Sequence, residues 1–110
     1  MTYQEVLAML EETRMQVAYR FFPEDSDPRL PYIAYYYPNR DDFPADNINY
    51  VKVEALNIEL YTENKDFTSE QKVESILNAH GLFFQKTESY LDSEEMYEVL
   101  YETSVLIKGE

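Results

Sequence analysis

Residues 48–62 read Ile-Asn-Tyr-Val-Lys-Val-Glu-Ala-Leu-Asn-Ile-Glu-Leu-Tyr-Thr, the longest extended stretch of the chain. Val51 and Val53 fall on odd positions, with Lys52 and Glu54 between them. Leu56, Ile58 and Leu60 then fall on even positions, with Asn57 and Glu59 between them. Successive strand side chains point to opposite faces, so each half of the stretch buries one face. The apolar parity reverses near Ala55, and an unbroken ideal strand cannot do that without turning its core face to solvent. The pattern predicts one long strand with a β-bulge or bend at Ala55.

Working outward, the chain N-terminal to this strand holds one helix and two shorter strands. Thr2 and Glu5 have capping-box spacing, and Tyr3, Val6, Leu7 and Leu10 repeat as one helical face that fades near Thr13. From Met15 the period becomes two: Met15, Val17, Tyr19 and Phe21 alternate with Gln16, Ala18, Arg20 and Phe22, and Pro23 should end that strand. Residues 24–31 are a loop by their Pro and Asp content. Tyr32–Tyr37, bounded by Pro31 and Pro38, is a second strand. Residues 38–47 read as a second polar loop.

On the C-terminal side, residues 66–69 (Asp-Phe-Thr-Ser) open a second helix, with Asp66, Thr68 or Ser69 as its cap. Val73, Ile76, Leu77 and His80 form its stripe, and Gly81 stands where a left-handed residue would close it. Residues 82–89 read as a strand and 92–95 as a turn. In the last strand Tyr97, Val99, Tyr101, Thr103, Val105 and Ile107 line one face. This order predicts a single α+β domain over residues 1–110, with two helices packed on one face of a mainly antiparallel sheet.

The chain has 22 acidic and 9 basic residues, a net charge of −13, which argues against non-specific binding to nucleic acid or an anionic membrane. With no cysteine, thiolate catalysis and Cys-type zinc sites are excluded. With one histidine, His-pair metal sites are excluded within one chain. Two glycines, Gly81 and Gly109, cannot build a phosphate-cradling loop. The N-terminal residues lack the basic and apolar regions of a signal peptide. No apolar run reaches the roughly 18 residues that span a bilayer.

Catalytic chemistry has little support. His80 reads as a helix-end residue that favours the dipole or finishes the core stripe. The acidic groups at 24–27, 41–46 and 92–95 lack calcium-loop spacing and sit in loops that should stay wet. No catalytic residue, metal ligand or cofactor is expected. The tyrosines carry more information, since eleven of the 110 residues are tyrosine. Tyr35, Tyr36 and Tyr37 are consecutive, so on a strand they cannot all enter one core. Tyrosine is suited both to cross-strand packing and to protein interfaces. Phe43, set between acidic residues and Pro44, fits either a local staple or an anchor inserted into a neighbour. The expected interface set is Tyr35, Tyr36, Tyr37, Asp41, Asp42, Phe43 and Asp46.

Residues 30–38 (Leu-Pro-Tyr-Ile-Ala-Tyr-Tyr-Tyr-Pro), the acidic loop ending Asp46-Asn47, residues 53–62, residues 80–84 and residues 97–102 together resemble the tail-terminator proteins of long-tailed phages. These are also labelled tail-completion, minor capsid or head–tail joining proteins. The resemblance spans nearly the whole chain but is one of overall pattern, so it transfers no interface residue. It implies a non-enzymatic α+β subunit that forms a homo-oligomeric, hexameric ring at the head-proximal end of the tail. Its partners would be the major tail protein and the head-completion or connector protein. Its place would be the virion, and the host cytoplasm during assembly. A carboxylate-lined lumen would repel passing DNA. The alternative from composition is an acidic inhibitor or DNA mimic that occupies the basic groove of a nucleic-acid-binding protein.

Overall fold

The computed structural model describes residues 1–45 and 49–108, with the backbone only at 43–45 and 49–51. Helix α1 (Tyr3–Glu11) starts as its sequence dictates: the Thr2 side chain accepts from the Glu5 amide, and the Glu5 carboxylate accepts from the Thr2 amide. Strands β1 (Gln16–Tyr19), β2 (Tyr32–Tyr36), β3 (Phe43–Ala45) and β4 (Asn49–Thr62) follow. Helix α2 (Phe67–Ala79) is capped by Asp66, whose carboxylate accepts from the Ser69 amide at 3.0 Å and the Ser69 hydroxyl at 2.7 Å. Those bonds hold the Asp66 carboxyl below its ordinary value. The α2 helix closes at Gly81, φ +73°, with Leu82 N–H bonding Leu77 O and Gly81 N–H bonding Asn78 O. This is the left-handed closure that glycine adopts without a Cβ penalty. Strands β5 (Gln85–Leu91) and β6 (Met96–Ile107) end the chain as a hairpin.

Five strands form one sheet in the order β1-β2-β4-β6-β5, and β3 attaches to the first residues of β4. The β1–β2 pair is parallel and the other pairs are antiparallel. Val6, Met9 and Leu10 of α1, Val73 and Leu77 of α2, and alternate residues of β2, β4 and β6 share one core. Both helices therefore cover the same face, the expected α+β arrangement. The core positions in β6 are Val99, Tyr101, Val105 and Ile107, as the sequence pattern indicates. Each fully buried Leu or Ile of this layer contributes roughly 1.5–3 kcal/mol by leaving water.

Four local expectations are corrected. β4 has no bulge at Ala55: residues 52–62 pair with β6 in unbroken register, Ala55 opposite Ser104. The extra residue lies in the strand alongside. Tyr36 pairs with Asn57 and Arg40 with Glu54, so four residues on one strand span three on β4. The backbone bonds Ala55 N–H to Asn39 O and Asp41 N–H to Val53 O carry the pairing past the irregularity. Second, β1 ends at Tyr19 and not at Pro23, because Arg20 takes φ +71° and turns the chain. Third, the polar loop at 38–47 contains β3, paired with β4 at Phe43–Val51 and Ala45–Asn49. Pro44 donates no bond, which an edge position tolerates. Fourth, residues 82–84 lie outside β5, which starts at Gln85.

The α2 helix carries a buried carboxylate. Glu70 is 2% exposed and sits at the i, i+3, i+7 spacing of Val73 and Leu77. Lys65 Nζ lies 2.6 Å from its Oε2 and Lys86 Nζ 2.8 Å from its Oε1. Lys86 also reaches Glu74 at 2.7 Å, and the Tyr101 hydroxyl donates to Glu74 at 2.8 Å. Lys65 further pairs with Glu88. A buried carboxylate is tolerated when opposite charges and hydrogen bonds replace water, as here.

Candidate assembly surface

The consecutive tyrosines are split between the faces of the sheet. Tyr35 points to the helices and is buried at 7% exposure. Tyr36 points to the face without helices, where Arg20 stacks on its ring at 4.1 Å and Asn57 Nδ2 donates to its hydroxyl at 3.1 Å. Tyr37 returns to the helix side. The added residue between Tyr36 and Arg40 then lets Tyr37 and Arg40 look the same way, although they are three positions apart.

This local geometry builds an aromatic bowl at the β1–β2 end of the sheet. Tyr3, Tyr19, Tyr35, Tyr37, Asn39, Arg40 and Glu54 line a shallow concavity of about 640 Å³. The Tyr3 and Tyr37 rings meet edge to face at 5.4 Å, and those of Tyr19 and Tyr35 at 5.2 Å. Such pairs add roughly 0.5–1.5 kcal/mol beyond area burial. Burial pushes the Tyr37 phenol above its ordinary pKa, and its buried hydroxyl has no hydrogen-bond partner among the described residues. The bond to Glu54, then burial, raises Tyr3. Arg40 pairs with Asp42 at 2.9 Å on the rim.

On the helix-free face, the Tyr61 hydroxyl lies 2.9 Å from Glu59 Oε1 and 2.9 Å from Glu98 Oε2. A phenol has one proton, so the two carboxyls compete for it. Burial, more than the nearby Glu98, raises the Glu59 carboxyl. Burial and then the Glu59 bond raise Tyr61. Beside this group Phe22 packs edge to face on Tyr32 at 5.0 Å. Phe21, Phe22, Pro23 and Pro28 lean over Tyr32, Ala34 and Tyr61 around a groove of about 290 Å³.

Of the residues expected at an interface, Tyr37 and Asp42 are brought to one end of the sheet, with Asp42 held by Arg40. Asp41 is exposed. Tyr36 lies on the opposite face, and Tyr35 is core. The Phe43 backbone is in β3, and Asp46 lies outside the described residues. His80 caps α2 with Nε2 3.4 Å from Glu12 Oε2, so it does not finish the core stripe. Sequence reasoning missed Tyr3, Tyr19, Arg40 and Glu54 as bowl residues, and Tyr61 as the bridge between two carboxyls. The alternation of Tyr19 with Tyr35 and Tyr37 on two strands was the available signal. Their parallel pairing was not legible. Among the described residues no group of three or more His, Asp or Glu is placed to hold a metal ion, and no helix is long and apolar enough to cross a membrane.

No protein-family model matches the chain, and no curated protein matches it. In structure it is similar to a chain of the virion of a native gene transfer agent particle, with a TM-score of 0.59 and 16% sequence identity. The similarity covers 97% of this chain and 91% of that one. At that identity the likeness is one of fold, and it extends from end to end.

Proposed function

We propose that this chain is a non-enzymatic structural subunit of a virion. It forms a homo-oligomeric, hexameric ring at the head-proximal end of a tail, ends growth of the tail tube and joins the tail to the head. The observation that carries the reading is the end-to-end likeness of fold to a virion chain. The sequence resemblance to tail terminators narrows that coarse assignment to one place in the particle. The major tail protein would dock on one side of the ring and the connector on the other. A net charge of −13 keeps the phosphate backbone from adhering as DNA passes.

The test is electron microscopy of tail tubes with and without the purified protein. Capped tubes of uniform length with a ring at one end are expected. Unlimited tube growth with no ring overturns the reading. Tyr36→Ala and Phe43→Ala should lower the fraction of capped tubes. For Tyr36, the lost Arg20 stack and Asn57 bond cost about 1–2 kcal/mol, too little to unfold most domains.

A further inference from the structure

The sheet ends in two free edges. Among the described residues, strand β1 pairs only with β2 and β5 only with β6, so each leaves an outer row of backbone groups with no described strand beside it. Such a row is a template for a strand of another molecule.

The two edges differ in charge. All four arginines of the chain gather at the first. Arg14 precedes β1, Arg20 follows it, the Arg29 amide donates to Gln16 Oε1 at 2.9 Å, and Arg40 stands beyond β2. Glu24, Asp25 and Asp27 in the following loop bring this edge near neutrality. The second edge is strongly negative: the β5–β6 hairpin carries Asp92, Glu94, Glu95 and Glu102, none of them ion-paired with a described residue. The lysines nearest it, Lys65 and Lys86, are occupied by Glu70, Glu74 and Glu88. Charges placed only to keep edges apart would have one sign at both ends. Here arginines flank the strand at one edge, and carboxylates predominate at the hairpin that forms the other.

Exposed aromatic rings follow the same division. Tyr19 (53% exposed) and Phe21 (71%) stand at the first edge, and Phe83 (95%) and Tyr90 (48%) at the second. Aromatic side chains with arginine are the composition of interface hot spots.

We propose that a second copy of this chain docks its β5 edge against the β1 edge of the first, with Arg14 and Arg20 facing the acidic hairpin. The contact is heterologous, since one patch meets a different patch, and repeated rotation closes it into a ring. The proposal deepens the ring reading and rests on it.

The absence of cysteine permits a direct test. Ala18→Cys places a thiol on β1 and Thr87→Cys one on β5. Each single variant and their mixture are treated with a short bis-maleimide, which spans neighbouring strand registers, at high protein concentration and low salt. The mixture should crosslink to a dimer while neither variant does so alone, and the double variant should give a ladder of oligomers. Adding Arg14→Glu and Arg20→Glu to the β1 partner should lower the yield about fivefold, as should screening by salt. No crosslink in the mixture, or equal crosslinking of each variant alone, overturns the proposal. If crosslinks form but the protein never caps tubes, the tail-end reading fails and the edge contact stands. If it caps tubes without these crosslinks, the edge contact fails alone.

Discussion

The Tyr3 hydroxyl donates to Glu54 Oε2 across 2.7 Å, joining the first turn of α1 to the middle of β4. That bond accounts for the reversed parity in β4. Glu54 occupies a core-facing position at 8% exposure, so an inward carboxylate stands where the pattern called for an apolar residue. The neighbouring Val53 is left on the outer face. The strand itself stays regular.

Tyr3→Phe should therefore cost about 1–3 kcal/mol in urea unfolding, because it leaves a buried carboxylate oxygen without its donor. Tyr3→Phe with Glu54→Leu should recover most of that loss, since removing both partners of a buried pair can be nearly neutral. Equal stability of Tyr3→Phe and the wild type would show that this bond contributes nothing net to the fold.

Glu70→Ala should destabilise by about 1–3 kcal/mol, since Lys65 and Lys86 lose their shared buried partner while keeping Glu88 and Glu74. Burial pushes the Glu70 carboxyl up, but the bonds from Lys65 and Lys86 outweigh burial and hold it below its ordinary 4.5. A carboxyl lowered in the folded state contributes stability that is present above 4.5 and lost as pH falls through the folded value. Thermal unfolding from neutral pH downward should show this acid loss in the wild type and a shallower one in Glu70→Gln.

Glu59 behaves in the opposite sense. Its carboxyl is raised, chiefly by burial, so the folded state binds the proton more tightly than the unfolded chain does. Its contribution improves as pH falls through the folded value and is complete below the ordinary 4.5. Glu59→Gln mimics the protonated form and should raise stability at neutral pH by about 0.5 kcal/mol, the scale of one relieved like-charge pair. The gain should vanish on acidification, which paired melting curves at two pH values would detect.

Gly81→Ala should cost about 1–2 kcal/mol through backbone strain alone, because φ is +73° and nothing lies within 4 Å of an added Cβ. Gly81→Asn should cost less, since asparagine tolerates the left-handed region better. Chemical denaturation of the two variants would rank them.

Much of the fold was legible because its determinants are local. The Thr2–Glu5 box, the Gly81 closure and the alternation from Tyr97 to Ile107 each act over a few residues. The misreadings arise where a distant partner decides. Ala55 was assigned a bulge because Tyr3, the partner that accommodates Glu54, is 51 residues away. The real irregularity, between Tyr36 and Arg40, is a matter of register against another strand. Strand β3 was missed because Pro44 and the flanking aspartates read as loop. Glu70 was overlooked although its spacing with Val73 and Leu77 marks a core position occupied by a charge. Of the surface residues, Tyr36 and Tyr37 were recognised as diverging, but the gathering of four arginines at one flank needs the strand order to be known.

The parallel alignment of β1 and β2 has a consequence for how the bare side of the sheet is used. Two neighbouring strands that run the same way oblige the chain to double back between them, and here no helix makes the return. The returning segment lays Phe22, Pro23 and Pro28 over Tyr32, Ala34 and Tyr61. The detour therefore roofs the β2 flank of the helix-free face and reaches Tyr61 at the end of β4. Lengthening or trimming this roof would reshape the molecule's outline while every strand kept its partner.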